Sequence, residues 1–442
     1  MKVYLESLGC AKNRVDSERM LGQLAAGQHA LTLDPAEAEL IVVNTCGFIE
    51  SAVQESIDTI LELAHHKTEG LCRRLVVAGC LPERYREELA DALPEVDLFL
   101  GPGAFAQIGE AVHPGFGERV TVLPDPALGS LGSAHDPRLL STFPSVYLKI
   151  AEGCDRRCSY CIIPRLRGPQ RSRPLDDLLT EADLLAARGA RELVLVAQES
   201  SDYGQDLTPT ADLAQLLESL APRIPDLWLR VLYGHPASLS ATMIRTMARY
   251  PNVCPYFDLP IQHASDAVLK RMARGYGQAD LRRLFERIRR IIPEAVLRTT
   301  VITGFPGETG ADFNILLDFI QEIGFDHLGV FAYSDGDDLP SHRLSGPVDQ
   351  ALAEDRRNRL MALQQTISRR RLARWLDRRL AVLIESVPEV DEALGRTMGQ
   401  APEVDGVTRV AMGQAVQPPS PGQVLSIRIT RVGDYDLYGE MR

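Results

Sequence analysis

Short apolar runs alternate with helix-spaced segments over most of the chain. Val3–Leu8, Leu40–Asn44, Leu75–Ala78 and Leu98–Leu100 read as strands, while Ile49–His65 and Pro82–Ala92 carry apolar residues at helical spacing. That alternation predicts an open parallel sheet within residues 1–125. Residues 126–144, rich in Pro, Gly and Ser, read as a linker. Six further apolar runs follow in 145–347: Val146–Ile150, Leu193–Ala197, Leu227–Leu232, Tyr256–Leu259, Val296–Ile302 and Leu328–Ala332. Helix patterns such as Leu175–Arg188 and Asp266–Arg274 lie between them, which predicts a partial (β/α)6, TIM-like barrel with its chemistry at the carboxyl ends of the strands. Residues 348–379 form an amphipathic helix pattern with arginines at 356, 357, 359, 369, 370, 371, 374, 378 and 379, read as a helical linker over 348–375. In 376–442 short β-like runs separated by Gly and Pro predict a small antiparallel β-barrel. The fold class is α/β with that barrel appended.

Composition narrows the class. Of 442 residues, 45% are hydrophobic and 24% charged, as in soluble globular proteins. No apolar run approaches the ~20 residues of a membrane span. The N-terminus lacks a secretory apolar region, so a cytoplasmic location is expected. A net charge of −12 argues against a surface coated for non-specific nucleic-acid binding. Cysteines stand at 10, 46, 72, 80, 154, 158, 161 and 254. In a cytoplasmic chain they point to metal or redox chemistry rather than disulfides.

Two constellations emerge. Cys154, Cys158 and Cys161 have C-x-x-x-C-x-x-C spacing directly after a predicted strand. Three thiolates leave a tetrahedral zinc one ligand short. On a [4Fe-4S] cluster they leave one iron open for a small ligand. Cys10, Cys46 and Cys80 are far apart in sequence, yet each follows a predicted strand. In a parallel sheet such positions share one edge and converge. Gly9, Gly47 and Gly79 beside them suit tight turns. Cys72 and Cys254 lack such partners and read as core residues. His65 and His66 read as solvent-facing.

The cysteine spacing, with Tyr160 just before Cys161, resembles the radical S-adenosylmethionine enzymes. The resemblance implies an open iron that holds S-adenosylmethionine and cleaves it to a 5′-deoxyadenosyl radical. It implies cofactor contacts at Tyr160, at Gln198 and Glu199 after the second strand, at Gln262 after the fourth, and at Ile302, Gly304, Gly307 and Glu308 in VITGFPGE. His263, Ser265 and Asp266 fall on the same face. Arg165, Arg167, Arg171 and Arg173 follow the cluster loop, either as surface charge or as steering groups.

Both triads together resemble the methylthiotransferases, with an N-terminal cluster domain, a radical domain and a TRAM barrel. That resemblance implies two [4Fe-4S] clusters, one on Cys10, Cys46 and Cys80 that carries sulfur and one on Cys154, Cys158 and Cys161. It also implies a low-potential electron donor and a sulfur donor. SLGCAKNRVDSERMLG, NTCGFIESAVQESID, GQAPEVDG and GDYDLYGE look like the branch that modifies the β-carbon of an aspartate in small-subunit ribosomal protein S-twelve. Ten acids against seven bases from Trp375 to Arg442 suggest a barrel suited to a basic protein rather than to tRNA. A tRNA adenosine methylthiotransferase and a non-enzymatic iron–sulfur protein are the alternatives.

Overall fold

The computed structural model describes residues 1–113, 120–388, 391–413 and 418–441. The first apolar runs become an all-parallel six-stranded sheet: β1 (Lys2–Ser7), β2 (Ala30–Leu31), β3 (Leu40–Thr45), β4 (Arg74–Gly79), β5 (Leu98–Leu100) and β6 (Val120–Val122), in the order β2-β1-β3-β4-β5-β6. The edge strands β2 and β6 are only two and three residues long, too short for a periodic signal. Strands β3 and β4 are buried on both faces, hence their continuous apolar runs. Leu40, Val42, Val76 and Ala78 pack with Met20 and Leu24, while Ile41, Val43, Leu75 and Val77 pack with Ile60 and Leu63. Because β1, β3 and β4 are neighbours running the same way, their carboxyl ends lie side by side.

The central part opens with β7 (Ser145–Lys149), followed by a small antiparallel pair, β8 (Ala151–Glu152) and β9 (Arg171–Ser172). Strands β10 (Glu192–Val196) and β11 (Trp228–Val231) extend β7 into one parallel arc. Strands β12 (Tyr256–Asp258), β13 (Val296–Thr303) and β14 (His327–Ala332) form a second. Main-chain bonds join the arcs: Leu229 N–H donates to Asn252 O and Cys254 N–H donates to Leu229 O, both at 2.8 Å. The result is the expected six-stranded partial barrel. Helix Gln350–Leu372 lies across β14 and buries Ala353, Leu360 and Ile367. Its buried face also carries Arg356, paired with Glu308 at 3.2 Å, and Gln364, which donates to Phe325 O at 2.9 Å. Arg371 and Arg374 both reach Asp326 at 3.0 Å. This helix is therefore part of the barrel wall, and several arginines of its pattern hold it there.

Residues 126–144 are anchored rather than loose. Arg138 is buried between Glu18 at 2.6 Å and Glu181 at 2.8 Å, tying the first helix, Ala11–Ala26, to helix Leu175–Ala187.

Strands β15 (Arg379–Ser386), β16 (Glu392–Thr397), β17 (Thr408–Ala411), β18 (Val424–Val432) and β19 (Leu437–Glu440) close as a barrel in the order β15-β16-β17-β19-β18. Five strands cannot alternate in direction around a closed ring, so one pair must be parallel. That pair is β17–β19. Most of the barrel's described acids, all but Asp391, are ion-paired. Asp377, Glu385, Glu392, Glu403, Asp405, Asp434, Asp436 and Glu440 all pair with arginines. Glu389 and Arg442, counted in the charge argument, lie outside the described residues. Counted charge alone therefore does not establish an acidic docking face on this barrel, because composition does not reveal pairing.

The small barrel plugs the amino ends of the central strands. Arg396 donates to Ser145 Oγ at 2.7 Å and pairs with Glu192 at 2.6 Å, while Arg230 grips the same Glu192 at 2.7 Å. Burial opposes ionisation of Glu192, but Arg396 and Arg230 prevail and hold its carboxyl at about 2. The folded value lies below the ordinary 4.5, so this contribution is complete above pH ~4.5 and is lost as pH falls toward 2. We predict that Arg396→Ala destabilises the protein by about 3 kcal/mol at pH 7. Urea unfolding of both proteins checks this. An unchanged midpoint would mean that the Glu192 cluster does not hold the two barrels together.

Candidate functional site

All eight cysteines are free thiols. Six of them, Cys10, Cys46, Cys80, Cys154, Cys158 and Cys161, line one cavity of about 450 Å³ at the carboxyl ends of the central strands. Cys72 and Cys254 are buried in separate cores, as the sequence suggested. Among the described residues no three of His, Cys, Asp or Glu are gathered tightly enough to hold a single metal ion. Each triad borders the cavity, and three thiolates leave a tetrahedral zinc one ligand short.

Cys10 caps helix Ala11–Ala26, Cys46 follows β3, and Cys80 begins helix Cys80–Ala92 directly after β4. The turns are tight. Gly9 has φ +89°, and a Cβ there would lie 2.9 Å from Cys46 Cβ. A Cβ on Gly47 would lie 2.9 Å from the Cys80 carbonyl carbon. Burial opposes ionisation of Cys10, yet Lys12 and Arg167 outweigh it and hold its pKa below the ordinary thiol value. Burial pushes Cys46 up to about 12. Arg167, fully buried, donates Nε–H to Cys80 Sγ at 3.2 Å. Its other nitrogens reach Asn13 at 2.6 Å and Asp16 at 2.9 Å. Lys149 pairs with Glu152 at 2.7 Å and also with Asp16, closing a buried network between the two domains.

The central triad has a similar companion. Arg274 donates to Cys158 Sγ at 3.2 Å and to the Tyr160 hydroxyl at 3.1 Å. Cys154 N–H donates to Gly168 O at 3.1 Å, and Arg156 N–H points at Cys154 Sγ at 3.4 Å. Burial raises Cys154 to about 11 and Cys161 to about 12. Thiols this reluctant to ionise would bind as thiolates only with cations among them. The donor sets, all sulfur and supplied with N–H groups, fit iron–sulfur clusters, whose potentials depend on such hydrogen bonds.

The remaining predicted residues divide. Tyr160, Gln198, Glu199 and Gln262 line the cavity. Gln198 donates to Glu152, and Glu199 pairs with Arg156, which also reaches Asp202 at 2.7 Å. Ile302 lines an adjoining groove instead. Gly304, Gly307 and Glu308 line neither. The Glu308 carboxylate accepts the amides of Gly304 and Phe305 and pairs with Arg356, which shapes the turn. His263 accepts the Ser265 N–H at 2.9 Å, Ser265 Oγ donates to Asp312, and Asp266 accepts the Gln278 N–H at 2.7 Å, so all three are engaged away from the cavity.

Arg167 and Arg173 are buried and Arg171 is half-buried, donating to Gly129 O at 2.6 Å, so the surface reading holds only for Arg165, exposed beside Asp338. Sequence reasoning missed Lys12, Asn13, Arg156, Tyr233, His235 and Arg274 as cavity residues. The one available signal was position, since most of them stand within a few residues of a cysteine or just past a strand. The adjoining groove, about 670 Å³, shares Phe48, Tyr160, Gln262 and Phe331 with the cavity and carries Glu50, Asp335 and Glu354 on its walls.

Comparison with known proteins follows the same divisions. The family described as "Radical SAM superfamily" matches residues 148–320, "Uncharacterized protein family UPF0004" matches 2–101, and "TRAM domain" matches 378–441. The solved structure of the radical S-adenosylmethionine methyltransferase TsrM from Kitasatospora setae is similar with TM-score 0.56 at 17% identity, covering 77% of each chain, a likeness of fold alone. Fold and cysteine loop together define a radical S-adenosylmethionine enzyme, a class that works with S-adenosylmethionine and [4Fe-4S] chemistry.

The chain is 54% identical to the ribosomal protein uS12 methylthiotransferase RimO of Desulfosudis oleivorans over 100% of both chains. It is 45% identical to that of Geobacter sulfurreducens over 100% of this chain and 98% of the relative. The chain belongs to the uS12 methylthiotransferase family.

We predict that Cys10 of the metal-free protein reacts with iodoacetamide at pH 8 at least about tenfold faster than Cys46, because Cys10 ionises more readily. Peptide mapping by mass spectrometry checks this, and equal rates would contradict the electrostatic reading.

Proposed function

We propose that the chain inserts a methylthio group at the β-carbon of an aspartate in uS12, the S-twelve protein of the small ribosomal subunit. One [4Fe-4S] cluster would be held by Cys154, Cys158 and Cys161 and a second by Cys10, Cys46 and Cys80. The observation that carries this reading is that the two triads face one cavity, so a carbon held there is in reach of both. When bound, the clusters and S-adenosylmethionine supply the radical, the sulfur and the methyl group.

The protein's own residues hold and isolate the reaction. Arg167 and Arg274 hold Cys80 and Cys158 by N–H···S bonds. Arg156, fixed by Glu199 and Asp202, closes the wall beside Cys154. Phe48, Ile163 and Phe331 supply apolar wall, which limits water around a reactive carbon. The groove adjoins this cavity and is lined by Glu50, Asp335, Glu354 and Arg357; Glu354 pairs with Arg357 at 3.0 Å and Asp335 with His342 at 2.7 Å, and the remaining excess of acid suits a segment of a basic ribosomal protein. A ribosomal substrate implies a cytoplasmic enzyme, served by a low-potential electron donor and a sulfur donor. No helix among the described residues is long and apolar enough to cross a membrane.

The test is a competition on anaerobically reconstituted enzyme with reductant, S-adenosylmethionine, small ribosomal subunits and bulk tRNA. Mass spectrometry should find the methylthio gain on a uS12 aspartate. A gain on tRNA adenosine would overturn the substrate. We further predict about eight irons per chain, four per cluster. Cys154→Ala, Cys158→Ala or Cys161→Ala should abolish 5′-deoxyadenosine formation. Cys10→Ala, Cys46→Ala or Cys80→Ala should keep that product and lose sulfur insertion. Full methylthio transfer by the second set would make the N-terminal triad structural.

A further inference from the structure

Four cationic side chains line the cavity: Lys12, Arg156, Arg167 and Arg274. Three are engaged. Arg156 pairs with Glu199 and Asp202. Arg167 is held by Asp16, Asn13, Glu152 and Cys80. Arg274 donates to Cys158, Tyr160, the Tyr276 hydroxyl and Pro260 O. Lys12 differs. Its side chain is more than nine-tenths buried, and its ammonium sits 3.3 Å from the centroid of the Tyr233 ring. Among the described residues no carboxylate pairs with it and no oxygen accepts its protons. The neighbouring acids are committed elsewhere, Glu152 to Lys149 and Arg167, and Asp258 to Arg298 at 2.8 Å and to Tyr233 N–H.

A buried ammonium whose near companions are the Tyr233 ring and the Cys10 thiol, with no carboxylate beside it, is costly unless a further anion joins it. Lys12 also stands in the first turn of the 16-residue helix Ala11–Ala26, where the helix dipole favours a negative group. Tyr233 braces the ammonium from the opposite wall, on a backbone with φ +62° that points to a position held for a purpose. The place suits one carboxylate, on the N-terminal side of the cavity, two residues from Cys10.

We propose that Lys12 binds the side-chain carboxylate of the substrate aspartate. This deepens the function proposed above and rests on it. The β-carbon to be modified is bonded directly to that carboxylate carbon. A carboxylate held by Lys12 therefore keeps the β-carbon beside the Cys10, Cys46 and Cys80 triad and turned toward the cavity that Cys154, Cys158 and Cys161 border. Lys12 is a substrate-positioning and specificity residue; it takes no part in bond making.

The experiment compares reconstituted wild-type protein with Lys12→Met, which keeps the stem, and Lys12→Arg, which keeps the charge. Each is assayed on uS12 carrying aspartate or asparagine at the modified position. Wild type should favour aspartate by roughly tenfold to a hundredfold in kcat/KM, the range for one charged hydrogen bond. Lys12→Met should lose that preference, chiefly through a higher KM for the aspartate form, and Lys12→Arg should recover part of it. A preference retained in Lys12→Met overturns the proposal. So does a fall in S-adenosylmethionine affinity of similar size, which would assign Lys12 to the cofactor's carboxylate. Loss of iron, or altered electron paramagnetic resonance spectra of the reduced clusters, would assign it to cluster assembly and also overturn it. If wild type leaves uS12 unmodified, the functional reading itself has failed, whatever Lys12 does.

Discussion

A fully buried guanidinium, that of Arg167, joins the N-terminal and central parts of the chain where the two cysteine triads meet. It touches Cys80 and Asn13 of the N-terminal domain, Asp16 on that domain's first helix, and Glu152 beyond the first central strand. Burying such a charge is tolerable only where partners surround it, and the partners come from two domains. The domains therefore have one favourable way to dock. That docking sets both triads around one cavity. Lys149, bridging Asp16 and Glu152, reinforces it with a second buried cation.

The opposite end of the central barrel is closed by the same kind of device. Glu192, at the start of its strand, is held between Arg230 and Arg396, and Tyr256 donates to Asp405 at 2.6 Å. With the amino ends plugged by the small barrel, ligand space remains at the carboxyl ends, where parallel strands deliver their following loops. The plug and the cavity are two consequences of strand direction.

The groove beside the cavity changes how substrate charge should be weighed. The C-terminal barrel is acidic by count, but its described acids are largely neutralised by arginines of the same barrel or of its neighbours. Glu50, Asp335 and Glu354 belong to the other two parts of the chain and line the groove together with Arg357, which pairs with Glu354 at 3.0 Å. Counted charge at the barrel therefore locates no partner, whereas the groove's acids have a location beside the cavity.

Much was legible in the chain itself. The six central strands and the N-terminal run of strand and helix follow from hydrophobic periodicity, because strands buried on both faces must be continuously apolar. The convergence of Cys10, Cys46 and Cys80 was also legible, since equal placement after parallel strands brings residues to one edge whatever the intervening length. The tertiary structure alone decided which charges are buried. Arg167 and Arg165 are two residues apart in one arginine-rich stretch, yet one grips a cysteine and the other faces solvent. It also drew Lys12 and Arg274 into the cavity, moved Gly304, Gly307 and Glu308 away from its walls, and turned residues 126–144 and the arginine-rich helix into packed structure. The physical reason is that periodicity records burial of apolar faces, whereas the fate of a charged side chain depends on partners supplied by other elements, and those partners are fixed only when the domains dock.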